Sequence, residues 1–306
     1  MTQASKPIVF FGTEDFSLQA LIALVDAGYS IAAVVTKPDS PQGRGHKLTA
    51  PQVKTYAQEH SIPVWQPTRL HTIADDITAL GSPAGVLVSY GKIVPQSIID
   101  LFSPGIINVH PSLLPKYRGP SPMEAAILHG DTQTGVSIMQ LSAKMDAGPV
   151  YGYTPFDLTG RETRAELYET LGELGTETLL KLLPLIFAGD ATGRAQNEHA
   201  ATYCQLITKA DSDIHWHKPA AQIEREIRAY AGWPQSRTTL SNIPIIITKA
   251  HVIEGNAAPG SLIIDAKSLS IGTSENLIAV DTVKPLGKKE MPVAAFLSGY
   301  KTQIIG

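Results

Sequence analysis

The apolar stretch PIVFFG at residues 7–12 decides the fold, because it suits a buried strand and ends at a glycine. Ser17 follows as a predicted helix N-cap, apolar residues then recur at helical spacing, and Gly28 is expected to end that helix. The stretch SIAAVVT at residues 30–36 predicts a second buried strand. This strand–helix–strand order is typical of a parallel sheet and predicts an α/β, Rossmann-like first domain. Further strands are predicted at residues 84–90, 105–110 and 136–141.

The composition of the chain changes near residue 190, which predicts two domains. The chain has 306 residues, 43% of them hydrophobic, which suffices for two packed cores. We expect a catalytic domain over residues 1–189, a linker over 190–208 with few large apolar residues, and a C-terminal domain over 209–306. One amphipathic helix at 219–229 and several short β-runs predict a small OB-like antiparallel barrel there. The β-runs are at residues 243–248, 261–264, 269–273 and 277–283.

Charge and cysteine content exclude several classes of protein. The formal net charge is −3, which argues against a general nucleic-acid binder. Residues 209–306 hold 11 Lys and Arg against 9 Asp and Glu, so this part is the one expected to meet phosphates. Cys204 is the only cysteine, and no Cys/His cluster has zinc spacing, so we expect no internal disulfide and no metal. Neither a bilayer-spanning stretch nor a targeting signal is evident, which predicts a cytoplasmic location.

Three polar residues are predicted to lie at the ends of apolar strands. Asn108 and His110 are two positions apart on one strand, so their side chains share a face at the carboxyl edge of the sheet, where open α/β folds bind ligands. Asp146 follows another strand. An amide that stabilises an oxyanion, an imidazole that moves protons and a carboxylate that orients it suit acyl transfer to an amine. Taken singly, each residue is also compatible with a structural role, and the spacing does not name a substrate.

The stretches INVHPSLLPKYRG at residues 107–119 and GVSIMQLSAKMDAGPV at 135–150 resemble the formyltransferase family that uses 10-formyltetrahydrofolate. The resemblance implies that Asn108, His110 and Asp146 are catalytic and that 10-formyltetrahydrofolate is the formyl donor. One departure is Ala147, which stands where the family usually has Thr. The implied folate-binding residues are Val88, Ser89, Tyr90, Gly91, Lys92, Ser112, Leu113, Leu114 and Pro115.

Asn108, His110 and Asp146 do not determine which molecule accepts the formyl group. Two other stretches of the sequence bear on that question. FFGTEDFS at residues 10–17 and KPDSPQGRGHKLTAPQVK at 37–54 are similar to the subfamily that formylates the methionine of initiator Met-tRNA. In that subfamily the second stretch wedges into the tRNA acceptor stem, and Arg44 matches its key arginine. Gly43 and Gly45 would let the backbone approach a nucleic acid closely, while Arg44 can bind phosphate or bases. His46 stands where the family commonly has a basic residue, so the charge of this loop depends on pH.

The C-terminal part also resembles this subfamily, through IRAYAGWP at residues 227–234 and FLSG at 296–299, so the resemblance covers nearly the whole chain. It implies that a basic face of the barrel binds tRNA and that the protein is a monomer. The candidate tRNA-binding residues are Lys37, Arg44, Lys47, Lys218, Arg225, Arg228, Lys249, Lys284, Lys288 and Lys289.

Several alternative functions remain to be weighed. An enzyme of the same fold that formylates a nucleotide-linked amino sugar would keep the three catalytic residues but lack the insertion at 37–54 and the barrel. Glycinamide ribonucleotide formylation fits less well, because those chains are much shorter. A tRNA-binding module with a vestigial site is disfavoured by the intact trio. A dinucleotide-binding oxidoreductase needs G-x-G-x-x-G after the first strand, which GTEDFS at residues 12–17 does not supply.

Overall fold

The computed structural model describes residues 6–42 and 47–305, which fold into two compact units. Two short stretches that precede residue 168 belong to the second unit, although no change of composition marks them. Within the described ranges, no helix is both long and apolar enough to cross a bilayer. Unit 1 comprises the chain through Pro122, Gln133–Asp157 and Tyr168–Cys204; unit 2 comprises Met123–Thr132, Leu158–Leu167 and the chain from Gln205 onwards.

The strands of unit 1 are β1 (Ile8–Gly12), β2 (Ile31–Val35), β3 (Ser40–Gln42), β4 (Lys47–Thr49), β5 (Val64–Trp65), β6 (Ala84–Val88), β7 (Ile106–His110), β8 (Gln133–Gln140) and β9 (Val150–Asp157). Seven of them form one sheet in the order β5-β2-β1-β6-β7-β8-β9, while β3 and β4 pair as a separate hairpin. The sheet is parallel from β5 to β7, as predicted, but β8 and β9 run antiparallel to their neighbours. The short connection at residues 141–149 suits such an antiparallel pair.

The centre of this sheet is buried on both faces. Every residue of β1, β6 and β7 is buried, which is why these strands are continuous apolar runs in the sequence. On one face, the ring of Phe11 packs edge-on against Tyr90 at 5.6 Å and against Phe102 at 5.7 Å between centroids. Such aromatic pairs contribute about 0.5–1.5 kcal/mol each beyond their buried area. The sheet therefore gives the ends of β6 and β7 a rigid support.

The first two hundred residues also form α1 (Asp15–Asp26), α2 (Gln52–Glu59), α3 (Ala74–Ala79), α4 (Gln96–Ile99), α5 (Pro122–His129) and α6 (Arg164–Ala188), with 3-10 turns at Leu70–Ile73 and Glu198–Ala200. The predicted N-cap at Ser17 was wrong: α1 begins at Asp15, and Ser17 Oγ donates to the Glu14 carbonyl from inside the first turn. Asp15 suits that position because an acidic side chain complements the helix dipole. The start of α6 has the capping box predicted at Thr163 and Glu166, with hydrogen bonds in both directions.

Unit 2 contains the antiparallel sheet predicted from the short β-runs. Its strands are β10 (Ser236–Leu240), β11 (Ile243–Ile253), β12 (Leu262–Ile264), β13 (Leu269–Gly272), β14 (Leu277–Pro285) and β15 (Met291–Pro292). The chain from Gln205 onwards also forms the helices α7 (Ala220–Ala229) and α8 (Val293–Ile305) and a 3-10 turn at Lys209–Ser212. The strand order is β10-β11-β14-β13-β12, with β15 paired to β14. Its core joins Ile223 and Ile227 of α7 and Phe296 of α8 to the inner face of the sheet. The small barrel-like second domain is thus confirmed, whereas β10 and α8 had not been predicted.

Candidate active site

The end of β7 places two polar side chains inside unit 1. Asn108 and His110 are each only 5% exposed, and the alternation of the strand directs both to the same face of the sheet. Asn108 pairs in register with Leu87 of β6 and Met139 of β8, so apolar neighbours flank it on both sides. Among the residues that the structure describes, no group forms a hydrogen bond with its carboxamide. A buried amide with unused donors is equipped to bind an oxygen of a ligand.

The hydrogen bonds of His110 fix the state of its ring. Nε2 lies 2.9 Å from the carbonyl oxygen of Tyr117, and because a carbonyl can only accept, Nε2 carries a proton. Nδ1 lies 3.7 Å from Oδ2 of Asp146. In the neutral ring, Nδ1 therefore holds a lone pair close to a carboxylate. This arrangement leaves Nδ1 as the atom that can accept a proton during a reaction.

Asp146 lies in the connection between β8 and β9, in a turn that constrains it closely. Its φ is +48°, an uncommon left-handed value for a residue with a side chain. Its Oδ2 accepts a hydrogen bond from the backbone N–H of Gly119 at 2.8 Å, so the carboxylate is held toward His110. Its backbone carbonyl accepts from Nε2 of Gln196 at 2.7 Å. The carboxylate is thus fixed both through its side chain and through its backbone.

The segment SLLP after β7 is anchored to β8. Ser137 Oγ donates to the Ser112 carbonyl at 2.6 Å and accepts from the Leu114 N–H at 3.0 Å. Ser112 Oγ donates to the Lys116 carbonyl at 2.6 Å, which closes the loop on itself. Leu114 is buried against Met139, and the peptide bond before Pro115 is cis. Leu113, within the same loop, is half-buried.

The predicted folate segment at residues 88–92 follows β6 directly. Val88 and Tyr90 are buried, while Ser89 and Gly91 adopt left-handed φ values of 46° and 68° that turn the chain sharply. The hydroxyl of Tyr90 is buried without a partner among the described residues, and burial raises its pKa to about 12. Lys92 donates to the Pro67 carbonyl at 3.0 Å.

Lys37, which was predicted to contact tRNA, lies beside the predicted folate segment. Its ammonium lies directly over Gly91, where any side chain on Gly91 would collide with it. Its backbone N–H donates to Thr13 Oγ1 at 3.3 Å, and its carbonyl accepts from Gln66. Asp39, just before the β3–β4 hairpin, forms an ion pair at 2.8 Å with Lys54, which follows the hairpin. Arg44 lies outside the described residues, and of Lys47 only the backbone in β4 is described.

The basic candidates of unit 2 fall into two groups. Lys218, Arg225 and Arg228 are engaged within the unit: Lys218 pairs with Glu226 at 2.6 Å, Arg225 donates to Gln222, and Arg228 pairs with Glu224. Arg228 is only 14% exposed and also donates to the Glu162 carbonyl. The others lie on or after the central strands: exposed Lys249 on β11, half-buried Lys284 on β14, and exposed Lys288 and Lys289 in the turn that follows. The second group is therefore better placed to meet a phosphate backbone.

The sequence analysis did not identify Arg118, or the polar residues that bind it, as contributors to the site. Arg118 is completely buried, and its guanidinium binds Gln196, Glu198 and the hydroxyl of Tyr203. These partners come from the segment that composition indicated as a linker. The Glu198 carboxylate raises the pKa of Arg118, and Arg118 lowers the pKa of Glu198. The sequence itself shows only an arginine in a proline-rich loop, whereas a buried guanidinium needs several acceptors that lie far along the chain.

The chain matches known families and proteins over most of its length. Residues 6–183 match the formyl transferase family, and residues 206–301 match the formyl transferase C-terminal domain. The methionyl-tRNA formyltransferase of Pseudoalteromonas translucida is 38% identical over 98% of this chain and 95% of its own length. That of Methylococcus capsulatus is 37% identical over 96% of each chain. The solved N-formyltransferase of Helicobacter canadensis, in complex with folinic acid and dTDP-3-aminofucose, shares the fold at a TM-score of 0.69 and 18% identity, covering 90% of this chain and 98% of its own.

A mixed sheet with a buried amide and imidazole at the end of β7, followed by a small antiparallel domain, defines a formyltransferase. The solved neighbour supports this at the level of the fold, since its identity is low. The curated relatives are much more similar and align with nearly the full chain. The chain belongs to the methionyl-tRNA formyltransferase family.

Proposed function

We propose that the chain transfers the formyl group of 10-formyltetrahydrofolate to the α-amino group of methionine on initiator Met-tRNA. Identity of 38% with a curated relative over nearly the whole of both chains supports the choice of acceptor. The observation that carries the chemistry is the group formed by buried Asn108 and His110 and half-buried Asp146 at one edge of the sheet of unit 1. We further propose that the product serves translation initiation and that the protein acts in the cytoplasm as a monomer.

Asn108 is proposed to stabilise the oxyanion. The donor supplies an activated formyl carbonyl, and attack by the amine places negative charge on its oxygen. The Asn108 carboxamide is buried and has its N–H groups available among the described residues, so it can donate to that oxygen. Removing one such donor costs about 10²–10³ in kcat in comparable sites. Its position two residues before His110 puts the donor and the proton-accepting ring on the same face.

His110 and Asp146 are proposed to manage the proton that the amine must lose. As the new C–N bond forms, one proton leaves the nitrogen, and it ends on the folate nitrogen when the old C–N bond breaks. Nδ1 of His110 is the available acceptor because Nε2 is committed to the Tyr117 carbonyl. The carboxylate of Asp146, 3.7 Å away, stabilises the imidazolium that results. In this scheme Nε2 of His110 keeps its proton throughout the reaction.

The folate is proposed to lie against residues 88–92 and 112–115. Three observations support this location: both segments follow strands at the carboxyl edge of the sheet, the Tyr90 hydroxyl is buried and unpaired among the described residues, and the Lys37 ammonium lies over Gly91. A cation at this edge suits a donor that carries carboxylates. We therefore assign Lys37 to the folate side of the site and retain Arg44 and Lys47 as the proposed contacts with tRNA. In unit 2, exposed Lys249, Lys288 and Lys289 and half-buried Lys284 are the proposed phosphate contacts.

The test is formyl transfer with two alternative acceptors. The protein is incubated with 10-formyltetrahydrofolate, without added metal, and with either charged initiator tRNA or a nucleotide-linked amino sugar. We expect formyl-Met-tRNA, resolved on acid-urea gels, and no transfer to Met on elongator tRNA at comparable rates. Transfer to the sugar with none to Met-tRNA would instead establish the alternative function.

A further inference from the structure

We propose that Gln196 is a positioning residue that holds the Asp146 turn in its working conformation, with Arg118 fixing the orientation of the Gln196 carboxamide. The inference rests on the proposed function, because it assigns Asp146 to the reaction. Gln196 lies in the stretch at residues 190–208 whose composition indicated a linker. In the structure, this stretch runs along unit 1, with a β-bridge between Val150 and Arg194 and another between Arg118 and Tyr203.

The Asp146 turn needs an external restraint. A left-handed φ of +48° is disfavoured for a residue with a side chain, although Asp tolerates it better than most, so contacts with the surroundings help to hold the turn. Nε2 of Gln196 donates to the Asp146 carbonyl and to the Gly148 carbonyl, each at 2.7 Å. Both N–H groups of the carboxamide are thus used on the two sides of Ala147. One side chain ties together the two peptide units that define the turn.

Arg118 leaves the carboxamide only one orientation. Oε1 of Gln196 accepts from Arg118 Nε at 3.1 Å and Nη2 at 2.9 Å. A flipped amide would put its N–H groups against the donors of Arg118 and its oxygen against two carbonyls, so the arrangement permits no rotation. The remaining donors of Arg118 are taken by Glu198, through both of its oxygens, and by Tyr203. Because Arg118 is fully buried and all five of its N–H groups are satisfied, it is a rigid support.

Three consecutive residues hold the components of the site. The Tyr117 carbonyl accepts from His110, the Arg118 side chain holds Gln196, and the Gly119 N–H donates to the Asp146 carboxylate. Displacing the Asp146 backbone would therefore alter the 3.7 Å separation between His110 Nδ1 and Asp146 Oδ2. Geometry errors of about 1 Å can cost on the order of 10²-fold in rate. Gln196 acts on the chemistry through this separation, without contacting the substrate.

The experiment compares Gln196→Ala and Gln196→Glu with Gln133→Ala, measured by single-turnover formyl transfer to Met-tRNA. Gln196→Glu keeps an acceptor for Arg118 but turns an oxygen toward two carbonyls. It therefore removes only the hydrogen bonds to the Asp146 and Gly148 carbonyls. Gln133 provides a matched control, because its exposed carboxamide donates to Asp157 at 2.8 Å at the other end of β8. We expect both Gln196 variants to lose about 10–100-fold in the transfer rate, with KM for folate and for Met-tRNA within about twofold. The control should match the wild-type protein.

Two further measurements separate a positioning role from a structural one. The pH–rate profile of the Gln196 variants should change shape, because the His110–Asp146 pair is displaced, whereas general destabilisation would leave its shape unaltered. Amide hydrogen exchange in the unliganded protein should rise at Gly119, whose N–H is bound by Asp146. Transfer rates within twofold of wild type, or loss of the folded state in both Gln196 variants, would overturn the proposal. If the wild-type protein formylates no Met-tRNA while the Gln196 variants still show faster exchange at Gly119, the proposed function fails and the inference that Gln196 holds the turn stands.

Discussion

Nδ1 of His110 lies 3.7 Å from Oδ2 of Asp146, while Nε2 of the same ring is bound by the Tyr117 carbonyl. The two ring nitrogens thus have different tasks: one fixes the ring and the other faces the carboxylate. An unprotonated Nδ1 and an ionised carboxylate cannot hydrogen-bond each other directly, since both are acceptors. The pair becomes mutually stabilising when a proton arrives on Nδ1. The geometry of the resting site therefore favours uptake of a proton from the attacking amine.

Asp146→Asn tests that relationship. Removing the charge while keeping the shape should lower kcat by about 10²-fold or more, because the imidazolium formed on His110 loses its counter-charge. The turn should survive, because Gln196 contacts the backbone carbonyl and not the carboxylate. A pH–rate profile of the variant against wild type provides the measurement, and an unchanged rate and profile would remove Asp146 from the reaction.

Asn108→Ala tests the proposed oxyanion donor. We expect kcat/KM to fall by about 10²–10³-fold, since a buried hydrogen bond to developing charge is lost. Little change in the melting temperature is expected, because no group in the described part of the chain depends on that carboxamide for a hydrogen bond. Asn256→Ala, at an exposed position of unit 2, is the control and should be fully active. Equal activity of the two variants would show that the oxyanion is held elsewhere.

The sequence was sufficient for the parts of the fold that follow from local apolar patterns. The runs that form β1, β6 and β7 are buried on both faces, and such runs are visible without tertiary information. The strand β10 (SRTTL) was missed because only its two end residues are buried, so its composition is that of a loop. Placing residues 123–132 and 158–167 in unit 2 depends on long-range packing, which no local pattern records.

Some residues of the candidate site can also be predicted from local sequence patterns, whereas others depend on long-range contacts. The sequence predicted that Asn108 and His110 share a face, because successive side chains on a strand point to opposite faces of the sheet. Gln196 could not, since its role depends on the backbone carbonyls of residues 146 and 148, roughly fifty positions away along the chain. A segment poor in apolar residues resembles a linker, yet its polar groups are satisfied by a buried arginine. Lys37 was likewise predicted to contact tRNA from its place in a basic loop, and its proximity to Gly91 depends on the fold and not on that local pattern.

Arg44→Ala tests the proposed contact with tRNA. Loss of a charge-assisted contact to phosphate or base should raise KM for Met-tRNA by about tenfold and leave KM for folate unchanged. The effect should diminish at higher salt, since a phosphate contact is screened there. Lys181→Ala removes one cation from an exposed position of α6 and should behave as wild type. Steady-state kinetics at limiting tRNA decide the question, and unchanged activity of Arg44→Ala would refute the contact.

Thr163→Ala tests the capping box at the start of α6. The Thr163 hydroxyl accepts from the Glu166 N–H and donates to the Glu166 carboxylate, so its loss should lower the free energy of unfolding by about 1 kcal/mol. Thr78→Ala is a matched control, because the Thr78 hydroxyl donates to the Ala74 carbonyl within α3 and contributes no cap. Denaturant unfolding compares the two variants. A larger loss for Thr78→Ala would show that the box does not stabilise the helix.

Glu166→Gln tests the pH dependence of the same box. Hydrogen bonds from the Thr163 N–H and hydroxyl lower the pKa of Glu166 below its ordinary 4.5. A carboxyl whose pKa is lower in the folded state stabilises that state above the unfolded pKa, and the contribution disappears as the pH falls through the folded pKa. Wild type should therefore be more stable than Glu166→Gln at pH 7, and the difference should shrink below about pH 4.5 as the carboxyl protonates. Melting curves from pH 7 to pH 3 measure it, and a pH-independent difference would assign the stabilisation to shape alone rather than to charge.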